Sequence, residues 1–115
     1  MGLPKNTEPG ADFLPGTLEM LILKTLSRGT NHGFGIALHI RQVSEDTLKV
    51  GEGSLYPALQ RLLIDDLVEA DWGVTENNRR ARYYRITAAG RKQLAAEKRN
   101  FDVLLAGIAR VMEAS

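Results

Sequence analysis

Arg79, Arg80, Arg82 and Arg85 fall within seven residues of VTENNRRARYYRIT, residues 74–87, beside Asn77 and Asn78. A guanidinium stays charged at every biological pH and offers a planar fork of N–H donors, so a cluster of them suits carboxylates or phosphates. The formal net charge of the chain is only +1, so what matters is how the charge is distributed. Between Glu45 and Trp72 stand seven acids and two bases; between Asn77 and Asn100 stand eight bases and one acid, Glu97. Such a segregated block reads as a polyanion-binding face, with a solvated charge run as the plain alternative.

Other chemistry finds little support. The chain has no cysteine, which excludes a disulfide framework and any cysteine-based zinc site. His32 and His39 lie seven apart across a turn with no third ligand at metal spacing, so both read as structural or exposed and no metal is expected. Ser27, Ser44 and Ser54 sit in no nucleophile-elbow context, and the glycines near 33–35 form no phosphate loop. Asp65 and Asp66 are neighbours on a helix and point apart, which does not make an acid–base pair. No enzymatic activity and no cofactor are expected.

The elements that must position the arginines follow from periodicity. At 115 residues, 43% apolar and 25% charged, the chain is one domain, or one small domain with an appendage, around a modest core. Its first dozen residues, with Pro4, Pro9, Gly2 and Gly10, have the composition of a mobile tail, 1–12. No stretch resembles a signal peptide or a membrane span, so the expected location is the cytoplasm. Leu18, Leu21, Ile22 and Leu26 predict a first helix, capped at Gly16 or Thr17. Thr30 to Gly33 predict a turn, and Ile36, Ile40 and Val43 a second helix. TLKV, residues 47–50, predicts a brief strand. Leu55, Leu59 and Leu62 predict a third helix, which requires Pro57 near its first turn.

The period then switches from 3.6 to 2. Val68, Ala70, Trp72 and Val74 share one face of a strand, with Glu69 and Asp71 on the other. In RYYRIT, Tyr84 and Ile86 face one way and Tyr83 and Arg85 the other, and a polar hairpin loop, TENNRRA, residues 75–81, joins the two strands and holds Arg79 and Arg80. Trp72 is thereby expected in the core, not as a ligand platform. A long helix follows, capped at Thr87. The order helix, helix, short strand, helix, strand, loop, strand, long helix is that of a winged helix-turn-helix. The expected class is therefore α+β, mainly α, with the winged unit over 13–86 and a C-terminal helix over 87–115.

HGFGIALHI, EGSLYPALQRL and RRARYYRITAAGRKQL resemble the PadR family of bacterial transcriptional regulators. The similarity spans about residues 14 to 100. The G-S-L-Y-P-A-L start of the third helix and the Y-Y-x-I-T-x-x-G exit from the hairpin carry most of its specificity. The single terminal helix resembles the short subgroup, and DWGVTENNRRARYY resembles a branch first described from acidobacteria. The resemblance implies a homodimeric DNA-binding repressor acting on a palindromic operator in double-stranded DNA. It does not name an effector: some relatives hold flat aromatic compounds between tryptophans of the dimer pore, where this terminal helix offers Phe101 and no Trp. A protein-interaction module and an RNA-binding winged helix remain the alternatives.

The helical wheel of the third helix turns Gly53, Tyr56, Pro57, Gln60, Arg61 and Ile64 outward or to the flanks. Gly53 and Ser54 lie at its anion-favouring N-terminus, Tyr56 can donate to a phosphate or cap the core edge, and Gln60 can read an adenine edge. Arg61 meets either DNA or Asp65 four residues on. With Lys49 before this helix and Asn78, Arg79, Arg80 and Arg82 in the hairpin, these residues form the expected DNA-binding set. Arg85 is set apart as the cross-strand partner of Glu69 and Asp71. From Thr87 to Ala114 the last helix would reach roughly 42 Å, further than the small domain can cover. Its stripe of Leu94, Phe101, Leu105, Ile108 and Met112, flanked by Leu104 and Val111, is the expected dimer seam.

Overall fold

The structure, a computed structural model, describes residues 16–115; the tail expected over 1–12 lies outside the described residues. The chain runs α1 (Thr17–Leu26), β1 (Asn31–His32), α2 (Gly33–Val43), α3 (Glu52–Ile64), β2 (Val68–Val74), β3 (Arg80–Ile86) and α4 (Ala88–Glu113). The three strands form one antiparallel sheet in the order β1-β3-β2. This is the expected mainly helical winged fold with a long C-terminal helix.

The three short helices and the base of the hairpin share one core. Ile22, Leu23 and Leu26 of α1 meet Ile36 of α2, Leu55, Leu59 and Leu62 of α3, Val68 of β2 and Tyr84 of β3, all almost completely buried. Burial of each such side chain stabilises the fold by about 1.5–3 kcal/mol. The predicted stripe of α3 is the buried one; in α1 Leu18, Ile22 and Leu26 are buried as expected, Leu21 is only half-buried, and Leu23, outside the predicted stripe, is buried too. The stripe of α2 is not complete: Val43 is 66% exposed, because it sits on the last residue of the helix, beyond the reach of its neighbours.

Two boundaries differ from expectation. Residues 47–50 form no strand. Instead Leu48 and Val50 pack against the core as part of an extended link between α2 and α3, which leaves α2 through left-handed turns at Glu45 and Asp46. The third strand is β1, where Asn31 pairs with Tyr84 and His32 with Tyr83, in the stretch expected to be only a turn. Two residues show no periodicity of their own; the free edge of β3 supplies their partner.

Pro57 is the sixth residue of α3, not in its first turn. The hydrogen bond it removes would have gone to Gly53, and both residues are on the exposed side, where water can satisfy the freed carbonyl. The helix therefore runs through the proline with its buried stripe intact.

Candidate nucleic-acid interface

The N-terminal half of α3 is held by its leucines so that Gly53, Tyr56, Pro57, Gln60 and Arg61 are exposed, with Ser54 half-buried. Lys49 is also exposed, just ahead of the helix. Tyr56 stands 47% open to solvent, and its ring lies against the backbone of Gly33 at the start of α2. A Cβ at Gly33 would come within 3.0 Å of both the ring and the hydroxyl. That close approach explains the first glycine of HGFG and fixes the height at which the phenol projects. Just before it, His32 Nδ1 accepts from the Gly35 N–H at 3.1 Å and caps α2. Its imidazole meets Tyr83 edge to face at 5.3 Å. One histidine thus ties α2 to the hairpin, the structural role expected of it.

Arg61 does not pair with Asp65. Its guanidinium donates to Glu19 of α1 at 3.1 Å, bracing α3 against the first helix. A carboxylate brought in by the tertiary fold thus displaces the one four residues along.

The hairpin divides its arginines by strand alternation. In the register, Glu69 lies opposite Arg85, Asp71 opposite Tyr83, Trp72 opposite Arg82 and Val74 opposite Arg80. Arg85 donates to Asp71 at 3.1 Å and to Glu69 at 3.2 Å, as the sequence predicted. The hydrogen bond it donates to Asp71 and then the charge of Glu69 hold its guanidinium above the usual arginine value. The opposite face is buried at its base, through Val68, Tyr84 and Ile86, and opens toward the tip. Burial first, and the neighbouring Tyr56 to a lesser degree, push the Tyr84 phenol up, against the lowering effect of Arg82.

Trp72, expected in the core, is 62% exposed, and Val74 is exposed as well. Both share the face of Val68, but the hairpin extends past the helices and leaves its outer half uncovered. Arg80 is likewise not a loop residue: it opens β3, and its guanidinium carbon lies 4.3 Å from the centre of the Trp72 ring. The loop itself closes when Thr75 donates its backbone N–H to the Arg79 carbonyl at 2.8 Å and Asn78 donates to the Thr75 carbonyl at 2.9 Å. Asn78 takes the left-handed conformation, φ 59°, which asparagine tolerates better than most residues. Its backbone therefore shapes the turn and its side chain remains exposed.

Among the described residues, Arg79, Arg80 and Arg82 enter no ion pair, in contrast to Arg41, Arg61 and Arg85. Between the hairpin, Tyr56 and the first turns of α2 runs an open groove of about 1170 Å³, into which these three arginines and Trp72 project. Phe34 and Leu38 of α2 line it too. Neither stands out in the sequence, since an exposed apolar residue on an amphipathic helix announces nothing by its type. The groove thus carries three arginines and one acid, Glu76, on the hairpin side, apolar Phe34 and Leu38 on the α2 side and the Tyr56 hydroxyl on the α3 side. An arrangement of this kind can hold a polyanionic strand.

A sequence model of the transcriptional regulator PadR-like family matches residues 22–96. The transcriptional regulator Rv3488 of Mycobacterium tuberculosis is 30% identical over 93 residues, 81% of this chain and 83% of that protein. Among solved structures, a PadR family transcriptional regulator from Eggerthella lenta superposes with a TM-score of 0.74 at 26% identity, covering 87% of this chain and 85% of its own. A transcriptional regulator from Clostridium thermocellum gives 0.73 at 27% identity, covering 80% and 89%.

Proposed function

The chain belongs to the PadR-like family of transcriptional regulators, and on that premise we propose that it is a homodimeric repressor acting on a palindromic operator in double-stranded DNA. As a sequence-specific DNA-binding regulator it needs an element that reads bases and one that grips the backbone. The exposed half of α3 is the reading element: Gly53, Ser54, Tyr56, Pro57 and Gln60 face the major groove, with Lys49 and Arg61 at the margins. The hairpin is the wing, and Asn78, Arg79, Arg80 and Arg82 meet phosphates. The observation that carries this reading is the division of the four arginines, one neutralised by two carboxylates and three left unpaired beside α3. The single terminal helix supports placing the chain in the short subgroup of the family, and the wing sequence in its acidobacterial-type branch. The protein acts in the cytoplasm, and no effector is assigned.

The test is titration of duplex DNA at several salt concentrations, with duplex RNA as competitor. Arg79→Ala should weaken binding alike for all sequences and reduce the slope of log K against log salt by about 0.9 for each phosphate no longer neutralised, about 1.8 per dimer. Gln60→Ala should instead relax preference at one base position of each half-site. Equal competition by RNA would favour the RNA-binding alternative. An unchanged slope in Arg79→Ala would remove the wing from the interface.

A further inference from the structure

We propose that Trp72 is a positioning residue for DNA binding, holding the Arg80 guanidinium by its face so that its N–H edge is presented to a backbone phosphate. The proposal rests on the DNA-binding reading above and names how one wing arginine is made ready for it. Trp72 and Arg80 are on adjacent strands, on one face, and diagonal in the register, Trp72 lying opposite Arg82 and Arg80 opposite Val74. That offset is within reach of a long side chain, and the guanidinium carbon comes to 4.3 Å from the indole centre. At this distance a planar guanidinium can stack on the ring through its own flat face. All five N–H donors lie in the plane of the guanidinium, so face stacking leaves its fork free for two phosphate oxygens.

The same hairpin carries the contrasting case. Arg85 spends its N–H edge on Asp71 and Glu69, whereas among the described residues no carboxylate reaches Arg80. A free arginine samples many rotamers, and ordering it at an interface weakens binding. Stacking on Trp72 meets part of that cost before DNA arrives. It also accounts for the position of a large aromatic on the uncovered half of β2: with 62% of its surface open, Trp72 adds little to the core. The pair lines the same groove as Tyr56, so one strand running along the groove can meet both.

The experiment is a double-mutant cycle on the full chain, measuring affinity for a mixed-sequence duplex long enough for two half-sites across a salt series. Circular dichroism verifies that each variant is folded. Trp72→Leu should bind about three- to tenfold more weakly with its salt slope unchanged, because the charge of Arg80 is still there. Trp72→Phe, which keeps a π face, should recover most of that loss. Arg80→Lys should resemble Trp72→Leu, retaining the charge without the fork. Arg80→Ala should lose affinity and flatten the slope by up to about 1.8 per dimer, and adding Trp72→Leu to it should cost nothing more. An equal loss from Trp72→Leu in both backgrounds, or a changed slope in that variant, would overturn the positioning role while leaving DNA binding in place. If Arg80→Ala binds as tightly and with the same slope as the unaltered chain, the wing contact itself fails.

Discussion

Arg82 and Arg85 are three residues apart on β3, so alternation sends them to opposite faces, one beside Trp72 and the other beside Glu69 and Asp71. Side-chain type is the same; the neighbouring strand decides the role. Arg85→Ala should lower the thermal midpoint of the protein while the salt slope of DNA binding stays as it was. A flattened slope in that variant would mean that Arg85 also meets phosphate. Tyr84 offers a second check at this scale. Its folded-state pKa is raised above the ordinary phenol value of 10.0 by burial, so the neutral phenol is the form the fold favours. That preference leaves stability flat below pH 10, and stability is then lost as pH rises through the folded value. Tyr84→Phe should therefore remove part of the loss of stability above pH 10, as read by denaturant melts at pH 8 and pH 11. Identical alkaline losses in both proteins would show that this phenol is not the group being titrated.

At the scale of elements, the junction between β3 and α4 shows how one short motif sets a whole helix. The Thr87 hydroxyl donates to the Asp66 carbonyl at 2.8 Å and accepts from the Gly90 N–H at 3.0 Å, while its own backbone N–H donates to Leu67. The helix is thus capped and bolted to the turn after α3 in the same place. Gly90 is the one residue of α4 that is buried, and a Cβ there would overlap the Leu67 carbonyl oxygen and crowd Ile86. The backbone on one side cannot rotate away as a side chain could. Gly90→Ala should destabilise the protein by about 1–3 kcal/mol despite the better helix propensity of alanine, as measured by chemical denaturation. A stabilised variant would mean that the helix can slide outward freely. This explains the T-x-x-G of the motif, whereas the two-residue β1 and the proline inside α3 had no comparable local signature.

On the scale of the molecule, α4 outruns its own domain. Its 26 residues would extend about 39 Å. Leu94 packs on the core of the short helices and the hairpin, and Phe101 is half-buried. Beyond them Leu104, Leu105, Ile108, Val111 and Met112 are all exposed. A stripe of this length, apolar at helical spacing, suits a second copy of the chain, which is why dimerisation through it belongs to the proposed function. Ile108→Asp should convert a dimer to a monomer in sedimentation and, because two half-sites are then bound independently, weaken operator binding by at least about tenfold. A fully dimeric Ile108→Asp protein would place the seam elsewhere.

The amino-acid sequence by itself determined which residues share a face. The leucine stripe of α3, the alternation of β2 and β3, the pairing of Arg85 with Glu69 and Asp71 and the cap at Thr87 all follow from spacings within one or two elements, where backbone geometry fixes the answer. Only the tertiary structure decided how far along each element the core reaches. Val68 and Trp72 lie on one face of one strand, yet the first is buried and the second open, because the covering helices end between them. The same holds for Val43, for the capture of Arg61 by Glu19 and for the strand pairing of Asn31 and His32. In each case the deciding partner comes from a distant part of the chain, and local periodicity carries no information about where that partner stops.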